Sequence, residues 1–185
     1  IPAGVLNVIH GGEDAVNALC DHKDIKAVSF VGSTKVGTHV YSRATLAGKR
    51  AQCMMGAKNH AIVMPDANKE QTLNAIVGAA FGAAGQRCMA LPVVMLVGET
   101  QQWIPELIEK AKTLEGNAGT EKGTDVGPVI SCAALTRVEG LIERGIADGA
   151  KLELDGRKPH VPGFEKGNFV GPTIFSGVKP GMAVY

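Results

Sequence analysis

Strand-length apolar runs alternate with stretches of helical periodicity from the first residues onward, which confines the chain to a parallel α/β architecture. VLNVIHG (5–11) predicts a buried strand. GEDAVNALCDH (12–22) predicts a helix whose opening acids, Glu13 and Asp14, suit the positive end of its dipole. KAVSFVG (26–32) is again strand-like, residues 34–47 place Val36, Val40, Tyr41 and Ala44 on one helical face, and RAQCMMG (50–56) supplies a third strand. The pattern restarts near Ala57. AIVM (61–64) is a strand, a helix runs from Asn68 to about Ala84, and Pro65 and Asp66 turn the chain between them. VVMLVG (93–98) is a strand and 101–114 an amphipathic helix. Ser131 caps a helix over 131–150, and KLELDG (151–156) ends in a turn. Lys158 to Pro172, rich in Pro and Gly, is loop, with strand returning at Thr173–Phe175.

At 185 residues and 45% hydrophobic content, the chain is large enough to bury a core as one domain or as parts of two. Lys plus Arg (19) balance Asp plus Glu (18) with no basic block, so small ligands are expected rather than nucleic acid. Cys20, Cys53, Cys88 and Cys132 form no CxxC pair, which argues against a zinc site or disulfide framework and for a reducing compartment. No apolar run approaches membrane-spanning length, so a soluble protein without membrane contact is expected. The five histidines are scattered and take no metal or catalytic role.

Two segments carry candidate chemistry. In GAAGQRCMA (82–90) small residues precede Cys88, leaving room for a substrate to approach the sulfur as if at the bottom of a tunnel. Gln86 and Arg87 stand beside it. The alternative is a small buried thiol, since free cysteine is among the most buried residue types. Arg87 suits a carboxylate-bearing substrate, because a guanidinium holds a carboxylate bidentately; the alternative is a surface arginine paired with Asp or Glu. In FVGSTKVG (30–37) a strand ends at Gly32 and leads through Ser33 and Thr34 into a helix, so free N–H groups and the positive helix end face an incoming phosphate. The alternative there is an ordinary capped helix.

FVGSTKVG, CMMGAKNH (53–60), FGAAGQRCMA (81–90) and GNFVGPTIF (167–175) together resemble the aldehyde dehydrogenase superfamily in content and order, with Cys88 32 residues after Gly56. Their wording, with MPDANKE (64–70), is similar to the CoA-acylating methylmalonate-semialdehyde branch. The resemblance implies an α/β, three-layer αβα fold, present as a partial chain spanning parts of two domains. Residues 1–56 would be the later part of an NAD-binding Rossmann-like domain and 57–185 the earlier part of a catalytic domain. It implies NAD contacts at Gly32, Ser33 and Val36, with Met55 and Gly56 bordering the nicotinamide, a nucleophile at Cys88 and a substrate-carboxylate contact at Arg87. Lys58 and Asn59 would shape the hinge between domains. Hydrolytic members carry a glutamate at the position of Met54; a thioether abstracts no proton, so coenzyme A becomes the expected acyl acceptor. An oxyanion asparagine and the first nucleotide-binding strands would lie before Ile1, and further catalytic segments after Tyr185. The chain is therefore expected to be an internal fragment, inactive alone, of an enzyme that assembles as a dimer or tetramer. The expected compartment is the cytoplasm of a bacterium or the mitochondrial matrix of a eukaryote. Two other readings stay open: a hydrolytic aldehyde dehydrogenase, and a nucleotide-binding or assembly module with an inert Cys88.

Overall fold

The computed structural model describes residues 1–185, which divide into two compact units, Ile1–Ala57 and Lys58–Tyr185. In the first unit, α1 (Glu13–Asp21) and α2 (Thr34–Leu46) pack on one face of a parallel pair, β1 (Ala27–Val31) and β2 (Arg50–Met54). Each strand alternates exposed and half-buried residues, so Val28, Phe30, Ala51 and Cys53 meet Cys20, Val40 and Ala44 from the helices. Lys49, itself buried, donates its ammonium to the carbonyls of His22 and Ile25 and ties the end of α1 to the turn before β2.

The expected strand at 5–11 does not form. Val5, Leu6, Val8 and Ile9 are 66–76% exposed, and the segment begins with a turn in which the Val5 N–H reaches Pro2 O. A strand exists only through a ladder, and neither β1 nor β2 supplies one for this run.

In the second unit β3 (His60–Val63) and β4 (Val93–Leu96) are parallel and joined through α3 (Lys69–Phe81). Val63, Leu73, Ile76, Val77 and Leu107 form the core, with α4 (Ile104–Lys112) closing it. Asn68 caps α3 by accepting the Gln71 N–H, and Ser131 caps α5 (Cys132–Ala147) by accepting the Ala134 N–H. β5 (Lys151–Leu154) and β6 (Ile174–Ser176) pair antiparallel across an irregularity at Leu152/Leu154. The strands thus form three separate two-stranded ladders, and the last departs from the all-parallel pattern expected. The helix expected to continue to Ala84 ends at Phe81, because Ala83, Ala84 and Gly85 all have positive φ (52°, 52° and 71°) and left-handed residues cannot extend a right-handed helix.

Candidate active site

In the first unit the turn after β1 is held locally. Ser33 Oγ accepts the Val36 N–H at 3.4 Å, its carbonyl accepts the Gly37 N–H, and the Gly32 N–H reaches Met54 O at 3.1 Å. The Thr34 and Lys35 N–H groups are first-turn donors outside these bonds, and no acidic side chain stands in the turn. Gly32, Ser33 and Val36 are exposed. Gly56 donates its N–H to Thr34 Oγ1 at 3.3 Å, tying the end of β2 to this turn. Met55 is half-buried against α2; a Cβ added at Gly37 would lie 2.8 Å from its Cγ, so the missing side chain there makes room for the thioether. The structure brings all five expected nucleotide-site residues to one end of the β1–β2 pair. Met54 is 54% exposed and does not fill the core.

In the second unit Cys88 lies in the loop between α3 and β4, exposed together with Gln86, Arg87 and Met89. Ala83, Ala84 and Gly85 before it form a tight left-handed turn. Two carboxamides fix this loop. Gln86 Oε1 accepts the Ile130 N–H at 2.9 Å while its Nε2 reaches the carbonyls of Ala83 (3.2 Å) and Pro128 (3.4 Å). Asn59 Nδ2 donates to Cys88 O at 2.9 Å and to Ala90 O at 2.6 Å, and Leu91 N–H closes onto Ala79 O. Sequence reasoning gave Asn59 a role at the hinge and not at the Cys88 loop, because its hydrogen-bond partners lie 29 and 31 residues away.

Arg87 enters no ion pair with an acid of this chain. Among the other thiols, burial pushes the Cys20 thiol up, aided by neighbouring Asp21, and Cys132 donates its S–H to Asn168 Oδ1 at 3.0 Å. An apolar cavity of about 240 Å³, lined by Phe81, Val138, Ile142, Phe175 and Val184 among others, includes neither Cys88 nor Arg87 and brings no polar chemistry.

The aldehyde dehydrogenase family model matches residues 1–185, the whole chain. The chain belongs to the aldehyde dehydrogenase family. It is 60% identical over 184 residues to the human protein named methylmalonate-semialdehyde/malonate-semialdehyde dehydrogenase [acylating], mitochondrial, covering all of this chain and 34% of that protein. The crystal structure of methylmalonate-semialdehyde dehydrogenase from Oceanimonas doudoroffii superposes with a TM-score of 0.93 at 43% identity, over all of this chain and 38% of that one. An aldehyde dehydrogenase mutant of Pseudomonas syringae, in complex with NAD+ and octanal, matches with a TM-score of 0.82 at 31% identity over 91% of this chain and 35% of that one. The fold is that of the family, mixed α/β, and the chain spans about a third of the length of the curated relatives it matches.

Proposed function

We propose that this chain forms part of an NAD-dependent, CoA-acylating semialdehyde dehydrogenase acting on methylmalonate or malonate semialdehyde, with Cys88 as nucleophile. The observation that carries the reading is Cys88 itself, an exposed thiol in a left-handed loop pinned from both sides by Gln86 and Asn59. Strained backbone held by distant bonds is a feature of functional sites. The names of the relatives support the same substrate class.

The Cys88 thiolate adds to the aldehyde carbon, and the carbonyl electron pair moves to oxygen, where the Cys88 N–H is a donor. Arg87, with no acid partner of its own, takes the substrate carboxylate and holds the carbonyl near the sulfur. NAD, when bound, supplies the hydride acceptor that leaves a thioester on Cys88. Gly32, Ser33 and Val36 would hold the dinucleotide at the α2 N-terminus, where the Thr34 and Lys35 N–H groups and the absence of first-turn acids suit a pyrophosphate, with Met55 and Gly56 beside the nicotinamide. Gln52 to His60 contains no carboxylate to activate water. The acyl group therefore passes to the sulfur of coenzyme A, whose proton returns to free the Cys88 thiol, and, as the resemblance to the methylmalonate-semialdehyde branch implies, the substrate carboxylate leaves as CO2 with a proton taken up at the α-carbon. The same reading takes the enzyme as a homo-oligomer of dimer or tetramer size, in the bacterial cytoplasm or the mitochondrial matrix.

A full-length enzyme carrying this sequence should release about one NADH per active site without CoA and then nearly stall, with CoA restoring turnover. Rapid steady turnover without a thiol would favour hydrolysis. In the same enzyme Arg87→Leu should raise KM for semialdehyde acids by roughly 10- to 100-fold, the loss of a charge-assisted contact. KM for an uncharged aldehyde of similar size should hardly move. Equal losses on both substrates would remove Arg87 from the pocket.

A further inference from the structure

We infer that Gly82 is the seat of the Arg87 side chain and thereby a specificity determinant: its missing Cβ is what lets the guanidinium fold back beside the nucleophile loop. The inference rests on the reading that Arg87 receives the substrate carboxylate. A Cβ built on Gly82 would overlap Arg87 Nη2 and lie 2.5 Å from Cζ and 3.0 Å from Nη1. Glycine is not required there by the backbone. Gly82 has φ −53° and ψ 138°, a conformation any residue adopts, whereas Gly85 three residues later has φ 71°. What Gly82 provides is space.

The consequence is selective. The atoms in the way are the far end of a flexible side chain, so an alanine at 82 displaces the guanidinium without disturbing the loop backbone. Arg87 makes no ion pair that would hold it elsewhere. In the position the seat defines, its five donors are free for a carboxylate. Gly78, one turn earlier in α3, has nothing within 4 Å of its added Cβ and serves as the control.

The test is a set of KM ratios, semialdehyde acid over uncharged aldehyde of similar size, in a full-length enzyme carrying this sequence. Gly82→Ala should raise KM for the acid about tenfold, leave the uncharged substrate within about twofold and keep the melting temperature at or above its starting value. Gly78→Ala should move neither KM. Because both act through one guanidinium, Gly82→Ala combined with Arg87→Leu should be no worse than Arg87→Leu alone. An unchanged ratio in Gly82→Ala, or additive losses in the double variant, overturns the seat while leaving the role of Arg87 intact. Equal losses on both substrates in Arg87→Leu would overturn both.

Discussion

The turn of the first unit that holds the candidate nucleotide residues and the loop of the second that holds Cys88 are built by different means. The turn at Gly32–Val36 is held inside one strand–helix–strand unit: Ser33 accepts from Val36 three residues on, and Gly32 to Met54 and Gly56 to Thr34 tie it to the end of β2. The loop at Gly82–Leu91 closes the Gln86 N–H on Ala83 O and the Ala90 N–H on Arg87 O, but its orientation depends on side chains reaching other segments. It bends through two alanines with φ 52° and is fixed by Asn59 and by contacts of Gln86 with residues 128 and 130. A turn that presents N–H groups to an anion needs only a capped helix. A loop that presents one thiol in one orientation needs anchors from outside, because its backbone would otherwise relax.

That contrast breaks most visibly at the thiol. In a full-length enzyme carrying this sequence, if the proposed role holds, Cys88→Ala should lower NADH release on the order of 10⁶-fold, the scale seen when a nucleophile is removed, with folding unchanged by circular dichroism. Next comes anchoring. Asn59→Ala leaves two carbonyls without their donor and should cost about 1–3 kcal/mol in urea unfolding, while Ser33→Ala, losing one cap bond, should cost about 1 kcal/mol. If Ser33 proves the costlier, distant anchoring is not what distinguishes the Cys88 loop. Smaller still, Ala84→Gly relieves a left-handed alanine and should raise stability by up to about 1 kcal/mol, seen as a higher urea midpoint.

The smallest expected effect is on pH dependence. Hydrogen bonds from Arg43 hold Asp21 below the usual carboxylate range, and those from Arg157 do the same for Asp155, one acid in each unit. A depressed folded value means that the stabilisation is present above about pH 4 and is lost as pH falls through the lower folded value. An acid titration followed by circular dichroism should show unfolding beginning below pH 4. Arg157→Gln should move the onset for the second unit upward.

What the sequence made legible follows the same division. The cap at Ser131 and the burial of Val40 and Ala44 on one face of α2 are local and periodic, so they could be read directly, whereas Val36 and Tyr41, expected on the same face, are exposed. Cys88 and Arg87 stood out by residue type. The anchoring partners of Asn59 and Gln86 did not, because they lie tens of residues away and a carboxamide before a strand has many possible acceptors. The strand expected at 5–11 has the right composition, but composition cannot supply a ladder partner. The early end of α3 was hidden for a related reason: Ala83 and Ala84 are good helix formers, and distant bonds override their preference.

The central claim, that Cys88 carries the acyl group, is tested most directly by trapping it. A full-length enzyme carrying this sequence would be mixed with methylmalonate semialdehyde and NAD without CoA, quenched in acid and mapped by peptide mass spectrometry. The account predicts a thioester on the peptide containing Cys88, at about one per active site, that disappears when CoA is added before the quench. An adduct on Cys20, Cys53 or Cys132 instead, or steady NADH release with no adduct on any cysteine, would contradict it.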